Sequence, residues 1–218
     1  MSATRPHATD DGTRPDVDSH PPDSRSFVSR ALLGNPVVET LAAMAVVSLL
    51  TWTAALVGLT GLFVLAPPVL SPPWALVTSV YAHAGPGHLL SNAVVVAVAG
   101  SLVAWSTTRP RFHAFFVTTG VLAGLAQVWL GGLFAPGAGV LGASGAAFAL
   151  VGYVLAANPV SSTLLDRLRL PPRVTVLVVA VVAGGLTLLF SAPGSALVAH
   201  LTGAVLGLVA GRFQLLRA

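Results

Sequence analysis

The chain has 218 residues, 55% hydrophobic and only 8% charged, a balance that excludes an ordinary soluble domain and points to a polytopic membrane protein. Its net charge of +4 comes from arginines scattered singly and in pairs between apolar runs, a pattern that speaks against a nucleic-acid partner and suits loops facing an anionic leaflet of a lipid bilayer. There is no cysteine, so neither a disulfide framework nor a thiolate metal site can form.

Residues 1–36 come first. They carry Asp10, Asp11, Asp16, Asp18 and Asp23 with Arg5, Arg14 and Arg25, several prolines and few apolar residues. Such a segment buries too little surface to offset its ordering entropy, and a disordered tail is expected. It lacks the short apolar region and cleavage site of a signal peptide, so the first helix is expected to be a retained span. Every basic side chain is Arg, and Lys and Ile are absent, a bias that suggests a GC-rich prokaryotic source.

Residues 37–218 form one membrane domain in which six apolar stretches can be drawn, at about 40–65, 87–106, 112–131, 144–158, 173–190 and 195–213. Each is near the roughly 20 residues that cross about 30 Å of hydrocarbon. The expected fold is therefore an all-α, six-transmembrane-helix bundle. Arg109 and Arg111 separate the second and third stretches, Arg167, Arg169 and Arg173 the fourth and fifth, and Arg212 and Arg217 follow the sixth. The other connections, 66–86, 132–143 and 191–194, have no charged residue. By the positive-inside rule both termini are cytoplasmic, in a multi-pass protein of the cell membrane. The uncharged outer loops are rich in Gly and Pro, including Ala66-Pro67-Pro68, Ser71-Pro72-Pro73-Trp74 and Gly131 to Gly137. Backbone of that kind at membrane depth must be buried in protein or line a wet cavity, so partly re-entrant loops are expected.

Ionisable groups inside spans are costly, and each is a functional candidate. After the tail the histidines are His83, His88, His113 and His200. His113 lies beside Arg111 and reads as interfacial. His88 and Asn92, four residues apart, share a helical face near the outer end of the second stretch. His83 precedes them across Ala84-Gly85-Pro86-Gly87, a run that must turn before the helix starts. Ser144, in Leu141-Gly142-Ala143-Ser144-Gly145-Ala146, opens the fourth stretch, and His200 lies near the outer end of the sixth. The arginine pattern thus puts all five in the outer half of the membrane. Singly, each also has a packing reading: small residues serve close helix contacts, and buried His or Asn serve interhelical hydrogen bonds.

Together they permit acyl transfer. A serine needs a base, and a neutral imidazole is the usual one near neutral pH. Ser144 and His200 would form a dyad, since no Asp or Glu lies near the outer face. The Ser144 amide, His88 and Asn92 would donate to the oxyanion. Gly203 and Gly207 follow His200 on one helical face, leaving room for the sixth helix to approach the fourth. Phe148, one turn below Ser144, would pack against the imidazole.

The chain resembles the rhomboid intramembrane serine proteases. The resemblance rests on His83 to Asn92 (His-x4-His-x3-Asn), Gly142-Ala143-Ser144-Gly145 (Gly-x-Ser-Gly) and Ala199-His200-Leu201-Thr202-Gly203 continuing to Gly207 (Ala-His-x2-Gly-x3-Gly), in the family's order and covering roughly residues 37–215. It implies that Ser144 is the nucleophile, His200 the general base, and His88 and Asn92 helpers of the Ser144 amide in the oxyanion hole. His83, Gly142, Gly145, Phe148, Gly203 and Gly207 would be structural supports. The implied partners are transmembrane protein substrates, entering laterally past the second and fifth spans with Leu188, Leu189 and Phe190 as gate candidates. No cofactor or metal is implied. Two positions depart from the family: Trp74-Ala75 stands where many bacterial relatives carry Trp-Arg, and Phe148 where relatives often have Tyr. A catalytically silent rhomboid-like protein that binds transmembrane clients is the alternative. A transporter is disfavoured because no inverted repeat is seen and the polar groups gather at one face.

Overall fold

A computed structural model describes residues 34–134, 137–158 and 170–218, with 163, 167 and 168. The expected tail up to residue 33, Ala135 and Pro136 of an expected outer loop, and Arg169 lie outside the described residues. The described residues are helical, with one isolated antiparallel bridge between Leu65 and Val140.

Helix α1, Pro36–Leu56, starts where Asn35 caps it by accepting the Val37 N–H at 2.9 Å, with Pro36 in the first turn. It ends well before the expected boundary near residue 65. Gly58 turns the chain with φ +76; its N–H reaches the Ala55 carbonyl at 3.1 Å, and the Leu59 N–H reaches Ala54 at 2.8 Å. This is a Schellman stop. Leu59, Leu62 and Phe63 prolong the apolar run beyond it but belong to the connection, not to the span.

That connection contains the short helix α2, Ala75–Tyr81, and leads to α3, Pro86–Ala104. Then follow α4, Arg109–Leu130, α5, Ser144–Ala157, α6, Pro172–Phe190, and α7, Leu197–Arg212. The helices α1, α3, α6 and α4 (extended to Leu133) are long and apolar enough to cross a membrane, whereas α5 and α7 are shorter. The 14 residues of α5 reach only about 21 Å at 1.5 Å per residue. The chain belongs to the class of membrane helical bundles, with its two short helices at the centre.

The α5/α7 contact is made by backbone. Gly203 faces the carbonyl oxygen of Gly145, Gly207 that of Ala149, and a β-carbon at Gly211 would stand 2.6 Å from that of Tyr153. In return, a β-carbon on Gly152 would meet the Ala204 oxygen at 2.7 Å. Glycines every four residues put one bare stripe along α7, and bare stripes allow helices to pack at their closest. Around this pair, Met44, Val96, Phe112, Phe116 and Leu150 fill the core. Helix α6 packs chiefly on α7 and buries only Ala183 and Thr187, which leaves Leu188, Leu189 and Phe190 largely exposed.

At the end of the bundle where α1 and α4 begin, Glu39 holds Arg109 at 2.7 Å and His113 at 2.9 Å, and Arg111 donates to the Arg217 carbonyl at 2.8 Å. At the opposite end, α3, α5 and α7 begin. The arginine-bearing turn before α4 and the stretch after α7 thus lie away from Ser144.

Candidate active site

Three helix starts converge at the Ser144 end, and between them lies a cavity of about 830 Å³. Ser144 and Phe148 line it from α5, His88, Ser91 and Asn92 from α3, and His200 from α7. Leu186 and Phe190 close it on the α6 side. His83 does not line it. That residue is fully buried behind the loop that leads into α5.

Ser144 is the first residue of α5, and no side chain caps the helix; the first intrahelical bond runs from the Ala147 N–H to the Ala143 carbonyl at 2.8 Å. The N–H groups of the first turn therefore have no partner within the helix, and they carry the positive end of its dipole. Ser144 Oγ makes no hydrogen bond among the described residues. The nucleophile candidate sits where unsatisfied donors face a half-open space.

The preceding loop is held at three points. Val140 pairs with Leu65 in both directions, at 3.0 and 2.8 Å, and the Gly142 N–H reaches the Ser79 carbonyl at 2.8 Å. The Ala143 N–H reaches His83 Nε2 at 3.3 Å. Since His83 Nε2 accepts, its proton is on Nδ1, which donates to the Tyr81 carbonyl at 3.0 Å and lies 3.0 Å from Ser48 Oγ. Burial, and the neighbouring His88, push the His83 pKa down to about 4, so that the ring is neutral and keeps its acceptor. Trp52 Nε1 donates to the His83 carbonyl at 2.7 Å and ties this loop to α1.

The His88 ring lies edge-on to His83 at 5.0 Å and directly over Gly142. A β-carbon on Gly142 would stand 2.7 Å from His88 Cε1, and its φ of +127 is one that L side chains rarely adopt. Asn92 is buried, and its Nδ2 donates to the His88 carbonyl at 3.0 Å. One of its two amide protons is thus used within α3, and the other is left for the cavity.

His200 stacks on Phe148, with ring centroids 4.5 Å apart and planes 11° from parallel. Its Nδ1 lies 2.6 Å from Ser191 Oγ, leaving Nε2 for the cavity. Gln127 Oε1 accepts the Ala199 N–H at 3.1 Å, which satisfies one of the open donors at the start of α7.

The structure therefore gathers Ser144, His200, His88, Asn92 and Phe148 around one cavity. It places Gly145, Gly203 and Gly207 in the contacts that bring their helices together, Gly142 under the His88 ring, and His83 behind the Ala143 peptide. Sequence reasoning missed Ser191, Gln127, Ser48, Trp52 and Gly211. For Gly211 the four-residue glycine spacing was a usable signal. Ser48 lies on a helical stripe of α1 with Thr40, Met44 and Thr51, all buried, where polar residues in an apolar helix marked an inward face. Ser191 and Gln127 had no such signal, because their partners come from other elements.

The Rhomboid domain family model matches residues 71–217. No curated protein matches the chain.

Proposed function

Because the chain belongs to the rhomboid family, we propose that it is an intramembrane serine endopeptidase that hydrolyses peptide bonds in or near transmembrane segments of other membrane proteins. The observation that carries this reading is the single cavity lined by Ser144, His200, His88 and Asn92. A packing role for each residue would not require the four to share one solvent-sized space at the start of three helices.

In the proposed reaction Ser144 Oγ attacks the scissile carbonyl carbon while His200 Nε2 takes its proton. The carbonyl oxygen becomes an oxyanion and accepts from the Ser144 N–H, with His88 and Asn92 as further donors. The C–N bond then breaks, and the imidazolium passes its proton to the departing amine. Water replaces the amine, gives a proton to His200 and attacks the acyl carbon, and Ser144 leaves as its hydroxyl. Phe148 supports this chemistry by holding the imidazole in one plane.

A substrate helix would enter from the bilayer past α6, the least buried of the spans, where Phe190 lines the cavity and Leu188 and Leu189 beside it are exposed. The arginine alternation supports a cavity that opens to the outer side of the cell membrane, with both termini cytoplasmic.

The test is covalent labelling of the detergent-solubilised full chain with a fluorophosphonate probe, beside Ser144→Ala and His200→Ala. Wild type is expected to label, Ser144→Ala not at all, and His200→Ala far more slowly. Equal labelling of all three, or a wild type that neither labels nor cuts a transmembrane substrate, leaves the silent client-binding protein as the better description.

A further inference from the structure

The reaction above uses one ring nitrogen of His200. The other, Nδ1, lies 2.6 Å from the hydroxyl of Ser191, the residue that follows the last turn of α6 in extended conformation. The chain between them is not slack: the Ser195 N–H and Oγ both donate to the Ala192 carbonyl, at 3.1 and 2.7 Å, and the Leu197 N–H reaches the Ser195 carbonyl at 2.9 Å. A hydrogen-bonded turn thus sets where Ser191 stands relative to the base.

The stack on Phe148 fixes the plane of the imidazole but not its edge. A half-turn about the Cβ–Cγ bond keeps the ring in that plane and exchanges Nδ1 with a carbon. Something must hold the Nδ1 edge away from Ser144. Among the described residues no carboxylate lines the cavity, so the acidic third member of a serine-protease triad has no counterpart among them. The hydroxyl at Nδ1 is the group in its place.

We propose that Ser191 is a positioning residue for His200, accepting the Nδ1–H of the imidazolium that forms when Nε2 takes the Ser144 proton. Once both ring nitrogens carry protons, neither can accept, so Ser191 can only act as acceptor. The bond then becomes charge-assisted and strengthens as the proton moves. Because Ser191 belongs to the end of α6, the helix packed chiefly on α7, the bond also makes the orientation of the base depend on where α6 sits. The proposal rests on the protease reading.

The experiment follows fluorophosphonate labelling of the full chain over time, resolved into a maximal rate kinact and a half-saturating concentration KI. In each productive event the Ser144 Oγ–P bond forms, the P–F bond breaks, the Oγ proton passes to His200 and fluoride leaves. Ser191→Ala is expected to lower kinact by about 10-fold, as for loss of one charge-assisted hydrogen bond, with KI little changed. Ser191→Thr keeps the hydroxyl and is expected to recover most of the rate. A Ser191→Ala variant at wild-type kinact overturns the proposal, as does a loss confined to KI. Equal impairment of Ser191→Ala and Ser191→Thr also overturns it. A wild type that does not label removes the protease reading and this inference together, whereas the other outcomes against an active wild type remove only Ser191.

Discussion

Gly203 of α7 faces the carbonyl oxygen of Gly145, the residue after Ser144, so closely that no β-carbon fits between the two helices. The depth of His200 relative to Ser144 therefore depends on that missing side chain. Gly203→Ala is expected to force the helices apart at the dyad. Overpacking costs typically 1–3 kcal/mol, and a rigid backbone oxygen gives way less easily than a side chain, so a loss of about 3 kcal/mol is expected. Thermal unfolding in detergent should show it together with lost labelling. Gly184 and Gly185 on α6 face open space, and Ala there should leave the melting temperature unchanged or raise it. A Gly203→Ala protein as stable as Gly184→Ala would contradict the contact.

Gly142 makes a second such demand, this time on a loop. Its φ of +127 excludes an ordinary side chain, and a β-carbon there would meet the His88 ring. Gly142→Ala is expected to displace either His88 or the peptide that leads into Ser144. Labelling by the probe should slow by roughly 10-fold or more, in line with a backbone and packing penalty of a few kcal/mol. Labelling at the wild-type rate would show that neither group has to be where it is.

Removing the oxyanion candidates tests their two distinct situations. Loss of one such donor costs on the order of 10²- to 10³-fold in known cases. His88 has no hydrogen-bond partner among the described residues to compete for its ring, whereas Asn92 already donates one amide proton to the His88 carbonyl. His88→Ala is expected to slow turnover of a transmembrane substrate by on the order of 100-fold, and Asn92→Ala by on the order of 10-fold. Unchanged rates would take both residues out of the mechanism.

Much of this architecture is readable in the residues alone, and the exceptions have physical causes. Apolar runs of membrane length, separated alternately by arginine turns and by uncharged Gly/Pro loops, are enough to give an all-helical membrane bundle. From Pro86 onward the helices begin and end within a few residues of the runs that encode them. The end of α1 is different. Hydropathy continues through Leu59, Leu62 and Phe63, while the turn at Gly58 is a backbone event that an average over side chains does not register. The cavity residues drawn from motifs were visible because each motif is local to one helix. Ser191 and Gln127 were not, because each acts on a residue from another element, and spacing along the chain carries no record of that meeting.

His83 joins two of these levels, since a motif residue is held by partners that no motif contains. Its Nε2 accepts the Ala143 N–H and its Nδ1–H points to the Tyr81 carbonyl, an arrangement open only to the neutral ring. Burial, then the adjacent His88, push its pKa from 6.5 down to about 4, against the opposing bond to Tyr81. Because the folded pKa lies below the unfolded one, the unfolded chain binds the proton first. The stability that His83 contributes is therefore fully present above about pH 6.5 and is lost as pH falls towards 4. His83→Gln keeps a side-chain acceptor for the Ala143 N–H but cannot titrate in this range. Melting temperatures measured in detergent from about pH 8 to 4 should show wild type above His83→Gln at the alkaline end, with the gap closing on acidification. A gap that stays constant across that range would mean that the neutral ring is not what holds the Ala143 peptide against the start of α5.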